Sequence, residues 1–92
     1  MGRPHCDYNI GFYPAYDTFK PEGIECDDCI ELSPEEMESL RLKNIKNLDQ
    51  TAAAKKMGVS QSTFQRVLTS AYKKVSLALI EGKELKILTK RP

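Results

Sequence analysis

The chain has 92 residues, so a single domain is expected. Hydrophobic residues make up 40% of it, which is enough for a small core and excludes a wholly disordered protein. No apolar run approaches the roughly 20 residues that cross a bilayer, and the N-terminus lacks the apolar stretch of a secretory signal. Three cysteines do not indicate a disulfide framework, and we therefore expect a cytoplasmic protein.

The net charge of +1 conceals a separation of charge along the chain. Residues 1–38 contain ten acidic and two basic side chains, for a net charge of −8. Residues 39–92 contain twelve basic and three acidic side chains, for a net charge of +9. This asymmetry predicts either a polyanionic partner for the basic half or contact between the two halves.

Residues 1–32 form an acidic segment that is rich in aromatic side chains. Its density of proline and glycine excludes a long helix. The alternation of apolar side chains from Tyr8 to Phe12 predicts a short strand within otherwise irregular structure. We expect the aromatic side chains to cover one end of a helical core, since an acidic segment would repel the phosphates of a stacked nucleic acid.

A first helix is predicted over residues 33–46. Ser33 is a favourable N-cap, Pro34 suits the first helical position, and Glu36 completes a capping box. Its apolar stripe is formed by Met37, Leu40, Ile45 and Leu48.

Two further helices are predicted between residues 49 and 81. Asp49 caps a short helix that runs to Met57, and Gly58 supplies the positive φ of its C-terminus. Ser60 caps a longer helix that ends at Gly82. The apolar side chains of this helix recur at spacings of three and four, which predicts that they share one buried face: Phe64, Val67, Leu68, Ala71, Val75, Ala78 and Leu79.

The C-terminal residues 84–88 alternate like a short strand. An isolated strand is unstable in water, so this one needs a partner. The candidates are residues 8–12 of the same chain or the same tail of a second subunit. The expected fold is mainly α, with residues 1–32 as an irregular or short-β segment, residues 33–82 as a helical domain and residues 83–92 as a strand-like tail.

Residues 50–69 match a helix-turn-helix template. Ala54 lies where the two helices cross, and Gly58 makes the tight turn between them. The small core between the helices is expected to contain Met57, Val59, Phe64 and Val67.

The second helix of such a motif enters the major groove of DNA and reads base edges. Five outward side chains are candidates for base contacts: Gln61, Ser62, Gln65, Arg66 and Thr69. Six residues are candidates for phosphate contacts: Thr51, Lys55, Lys56, Ser60, Lys73 and Lys74. Residues 50–80 contain five basic side chains and no acidic ones, which favours DNA binding over a merely solvated surface.

The chain resembles a family of small, uncharacterised prokaryotic proteins that are described as predicted DNA-binding proteins with a helix-turn-helix like region 4 of sigma factors. The resemblance extends over nearly the whole chain, and residues 57–68 carry it most specifically. It implies a fold similar to sigma region 4 and sequence-specific DNA binding. Members tend to be basic after Arg3-Pro4, where this chain has His5-Cys6-Asp7-Tyr8, and their glycine-rich ending is replaced here by residues 89–92. The other matching stretches are residues 19–24, 36–42, 71–75 and 81–87.

Cys26 and Cys29 form a C-x-x-C motif, and Cys6 and His5 would complete a set of four zinc ligands. The adjacent pair His5-Cys6 is an awkward geometry for one metal ion. We therefore expect no cofactor, with free cytosolic thiols favoured over zinc or over redox sensing.

We expect no enzymatic activity, because His5 is the only histidine and no phosphate loop or nucleophile motif is present. The predicted function is sequence-specific binding of double-stranded DNA by a transcriptional regulator that forms a homodimer, for which the strand-like tail is one candidate contact. The alternatives are a protein–protein docking module and a metal- or redox-sensing regulator that uses Cys6, Cys26 and Cys29.

Overall fold

A computed structural model describes residues 9–12, 14–26 and 28–88 of the chain. Three helices and a small three-stranded sheet make up this part, so the architecture is mixed α/β, with the sheet packed against a helical core. In chain order the elements are β1 (Thr18–Phe19), β2 (Cys29–Leu32), α1 (Pro34–Leu40), a π-helical segment (Arg41–Ile45), α2 (Gln50–Met57), α3 (Gln61–Glu81) and β3 (Glu84–Ile87). No helix among the described residues is long and apolar enough to cross a membrane.

The N-cap and C-cap residues predicted for the helices are confirmed. The Ser33 hydroxyl accepts a hydrogen bond from the amide of Glu36, and the Glu36 carboxylate accepts one from the amide of Ser33, which is a complete capping box. Asp49 and Ser60 accept hydrogen bonds from the first turns of α2 and α3. Gly58 and Gly82 end these two helices in the left-handed conformation.

The first helix widens into π-helical geometry before it ends. The amide of Lys46 donates to the carbonyl of Arg41, and Asn47 then adopts a φ of 58° that stops the helix. The wider turn changes which side chains face the core, so Leu42 is buried. Ile45, expected in the apolar stripe, is instead 73% exposed.

The C-terminal strand exists, but both partners expected for it are wrong. β3 is the middle strand, antiparallel to β1 and parallel to β2, with Leu85 opposite both Phe19 and Ile30. Residues 9–12 form no strand, and Tyr8 lies outside the described residues. Because β1 and β2 occupy the two sides of β3, the tail cannot pair with the tail of a second subunit through this strand.

Two clusters of buried side chains lie along α3. The first joins α2, the π-helical segment and the start of α3, and it consists of Leu42, Ala53, Ala54, Met57, Phe64 and Leu68. The second joins the sheet to the middle of α3, and it consists of Leu32, Ala71 and Ile87. Leu40 packs against both clusters, so the sheet and the helix pair share one continuous interior.

Candidate nucleic-acid interface

The contact between α2 and α3 buries part of the small core that the sequence predicts. Ala54 is buried, while Met57 and Phe64 are fully buried between α2 and α3. The amide of Val59 donates to the carbonyl of Ala54, which directs the chain from α2 into the turn. Val67 is only partly buried, so it lies at the edge of this core rather than inside it.

All five candidate base-reading side chains are exposed on the first nine residues of α3. The Gln65 side-chain amide donates to the Thr69 hydroxyl at 3.2 Å, so these two side chains form a pair one turn apart. Gln61 lies at the start of the helix, where its side-chain oxygen is 3.4 Å from the hydroxyl of Thr51 on α2. This contact joins the polar ends of the two helices.

Arg66 lies on the side of α3 that is nearest to α1. It lines a small polar cavity of about 250 Å³ together with Glu36 and Ser70. Arg66 therefore shares a cavity with carboxylate side chains, whereas Gln65 and Thr69 are exposed and do not line it.

Three lysines among the candidate phosphate contacts are exposed. Lys55 and Lys56 form the last turn of α2, and Lys73 lies in the middle of α3. The Ser60 hydroxyl already accepts from the amide of Thr63 as the helix cap and lies 3.0 Å from the Thr63 hydroxyl. Thr51 is exposed and shares its hydroxyl with Gln61.

Lys74 occupies a different environment from the other lysines. Its ammonium group donates to the Glu36 carboxylate at 2.9 Å and to the carbonyl of Glu31 at 2.8 Å. The Ser70 hydroxyl donates to the same carboxylate at 2.6 Å. Burial acts to raise the pKa of Glu36, but the hydrogen bonds from Ser33, Ser70 and Lys74 outweigh it and bring that pKa below its usual value. Lys74 thus connects α3 to α1 and the sheet.

The acidic half of the chain forms ion pairs with Arg41, Lys74 and Lys83. Glu38 binds Arg41 through two oxygens, at 2.8 and 2.9 Å, and Asp28 binds Lys83 at 3.0 Å. Within residues 9–12, 14–26 and 28–88, the exposed cations of α2 and α3 have no ion pair within 4.0 Å. These cations are Lys55, Lys56, Arg66 and Lys73.

The N-terminal segment forms hydrogen bonds to the turn between α2 and α3, a contact that the sequence did not predict. The amide of Asn9 donates to the carbonyl of Met57 at 3.0 Å, and its side chain donates to the carbonyl of Lys56 at 3.2 Å. Two residues later, the amide of Gly11 donates to the Glu38 carboxylate. Since no local pattern distinguishes Asn9 from any other polar residue in a loop, only the tertiary structure reveals this contact.

The described residues contain no group of three or more histidine, cysteine or carboxylate side chains that could bind a metal ion. Cys26 and Cys29 are both free thiols, and the Cys26 thiol donates to the carbonyl of Gly82 at 3.4 Å. Cys6 and His5, the other candidate ligands of the zinc alternative, lie outside the described residues.

Comparison with known proteins shows that this chain is similar to bacterial proteins named "UPF0251 protein". It is 47% identical over 88 residues to a "UPF0251 protein" of Halothermothrix orenii, covering 94% of this chain and 65% of the relative. A "UPF0251 protein" of Desulforudis audaxviator is 43% identical, covering 95% of this chain and 58% of the relative. A "UPF0251 protein" of Vibrio vulnificus is 44% identical, covering 92% of this chain and 87% of the relative.

The chain thus spans about three-fifths of the length of the first two relatives. No solved structure matches it. The model of one protein family matches residues 1–91. The chain therefore belongs to the family described as "Protein of unknown function DUF134".

Proposed function

We propose that this protein binds double-stranded DNA with the first nine residues of α3 in the major groove, and that it regulates transcription. The observation that supports this most is the division of the cations into two groups. Carboxylates of the acidic half pair with Arg41, Lys74 and Lys83. The cations of the helix-turn-helix face remain exposed beside a row of amide and hydroxyl side chains, which is the chemistry of a groove-reading surface.

In this proposal Gln61, Gln65 and Thr69 face base edges, and Arg66 contacts a guanine once it turns away from the wall of its cavity. A glutamine side chain matches the donor and acceptor of adenine, and an arginine matches the two acceptors of guanine. Lys55, Lys56 and Lys73 contact phosphates on either side.

The first test is selection of bound sequences from a random duplex pool, followed by affinity measurements over a range of salt. Three lysine–phosphate contacts per protomer predict that affinity falls about 40-fold between roughly 50 and 200 mM salt. No enriched sequence, or an affinity that does not change with salt, would contradict the proposal. A protein partner retained after nuclease treatment, with no duplex bound, would instead favour a docking module.

The Arg66→Ala variant tests the base-reading role. We expect it to lose about 1–3 kcal/mol of binding free energy on the selected site and to discriminate less at one base pair. Its stability should be unchanged, because Arg66 is exposed.

Lys86→Ala is the matched control for this test, because it removes one exposed positive charge from the sheet rather than from the motif. It should bind nearly as well as the parent protein. Equal losses in the two variants would mean that net charge alone governs binding and would refute base reading by Arg66.

A further inference from the structure

The last turns of α3 expose apolar side chains next to one another. Leu79 and Ile80 are 76% and 84% exposed, and Tyr72 and Leu77 are exposed on the same half of the helix. The helical spacing predicted that Leu79 is buried, and this expectation is wrong because the core on that side ends at Ala78. Neighbouring exposed apolar side chains mark an interaction surface, whereas isolated ones do not. We refer to Leu79 and Ile80 as the apolar ridge.

An apolar groove of about 440 Å³ lies directly beside the apolar ridge. The groove runs between the last turns of α3 and the sheet, and Leu79 belongs to both the ridge and the wall of the groove. β1 is only two residues long, and its Phe19 remains exposed at the rim. The other lining residues are Lys20, Pro21, Val75, Ala78, Gly82, Lys83 and Leu85.

The groove carries charges of both signs, and the Lys83 ammonium is 3.0 Å from the Asp28 carboxylate. Lys20 and Lys83 line it, and Glu81 and Glu84 lie next to Lys83 along the chain. The Lys83 ammonium is 3.9 Å from the Glu81 carboxylate. A surface with both signs of charge does not suit a polyanion, but it can meet a copy of itself without repulsion between like charges.

The distance along α3 also suits a second copy. Fifteen residues separate Gln65 from Ile80, which corresponds to about 22 Å of helix. If a two-fold axis passes beside Ile80, the two DNA-reading segments lie at most about 45 Å apart. An inclination of the two helices shortens this separation to the roughly 34–36 Å between successive major-groove half-sites.

We propose that the apolar ridge of one copy packs into the groove of a second copy around a two-fold axis, and that the resulting homodimer presents two DNA-reading segments to adjacent half-sites. The ridge and the groove lie side by side on the same surface. A two-fold axis therefore places the ridge of each copy in the groove of the other. The dimer itself does not depend on the proposed DNA binding, whereas the half-site spacing rests on it.

Sedimentation velocity without DNA tests the dimer over a micromolar concentration range. We expect the parent protein to be dimeric and the Leu79→Glu/Ile80→Glu variant to dissociate at least about tenfold more readily. Ile45→Glu is the matched control, because Ile45 is 73% exposed and does not line the groove. A parent protein that stays monomeric, or an Ile45→Glu variant that dissociates as readily as the ridge variant, would overturn the proposal.

Thermal unfolding must accompany these measurements to show that the ridge variant is folded. If the double variant melts early, the milder Leu79→Gln variant replaces it and should still weaken the dimer. A folded Leu79→Gln protein with the dimer affinity of the parent would also overturn the proposal.

Binding to duplexes with one or two half-sites separates this inference from the proposed function. The ridge variant should bind a single half-site like the parent protein and lose its advantage on two half-sites. A parent protein that is dimeric but binds no duplex would refute DNA binding and leave the dimer intact. A parent protein that binds DNA only as a monomer would refute the dimer and leave the proposed DNA binding intact.

Discussion

Two features of the turn between α2 and α3 require a glycine at position 58. Its φ of 72° lies in the left-handed region, where a side chain causes strain. A Cβ atom at this position would also lie 2.9 Å from the side-chain nitrogen of Asn9. Gly58 therefore permits both the turn of the motif and the close approach of the N-terminal segment.

The Gly58→Ala variant should be less stable than Gly23→Ala. Gly23 also has a positive φ, but no atom lies within 4 Å of its Cβ position, so its replacement costs only the backbone strain of about 1–2 kcal/mol. Gly58→Ala should lose about 1 kcal/mol more, because the side chain of Asn9 must give up its hydrogen bond to the carbonyl of Lys56. Denaturant unfolding measures both losses. In an Asn9→Ala background the two glycine replacements should cost the same, and a difference that persists there would argue against this contact.

At the scale of elements, Glu36 connects three parts of the fold. It completes the capping box of α1, accepts from Ser70 of α3, and pairs with Lys74, which also reaches the carbonyl of Glu31 on β2. Glu36 is itself buried, so its charge depends on these donors.

The Glu36 pKa lies below its ordinary value of 4.5 in the folded protein. The stability that Glu36 contributes is therefore present above that value and is lost as the pH falls through the lower, folded-state pKa. Glu36→Gln should be less stable at neutral pH, and its stability should fall less steeply on acidification. Glu22→Gln, which changes an exposed carboxylate, is the control and should follow the parent protein. Unfolding free energies measured from neutral to acidic pH would contradict this view if the two variants behaved alike.

The helices could be predicted from the sequence because the signals that start and stop them are local. Ser33, Asp49 and Ser60 act on backbone amides three residues away, and Gly58 and Gly82 act on the turn that they end. The exposed side chains at the start of α3 could also be predicted, because the spacing of its apolar residues shows which face of the helix is buried. The sheet could not be predicted, because two strands before the helices pair with one after them, and no local pattern encodes that distance. Leu79 was misassigned because helical periodicity does not reveal where the opposing surface ends.

At the scale of the whole molecule, the strands that come before the helices in the chain are an integral part of the fold. Leu32 packs with Ala71 and Ile87, and β2 supplies one side of β3. The acidic half neutralises part of the basic half, since it pairs with Lys74 and Lys83, whereas Lys55, Lys56, Arg66 and Lys73 have no ion pair among the described residues.

A fragment of residues 33–92 should therefore not unfold cooperatively, although it contains all three helices. It lacks both neighbours of β3 and the side chain of Leu32. Thermal melting followed by circular dichroism tests this against the full chain. Adding a peptide of residues 9–32 in trans should restore a cooperative transition, and a scrambled peptide of the same composition should not. A fragment that melts like the full chain would show that the helices form an independent domain.

The position of β3 also has a consequence for synthesis on the ribosome. It is the last of the described elements in chain order, yet it is the strand to which both others bond. Residues 18–32 are made before the three helices and have no strand partner until residues 84–87 have left the exit tunnel. The sheet therefore forms only after residues 84–87 have been made, and a product that terminates before them lacks all strand pairing rather than a single strand. Such products expose unpaired strand edges, which makes them substrates for chaperones and proteases.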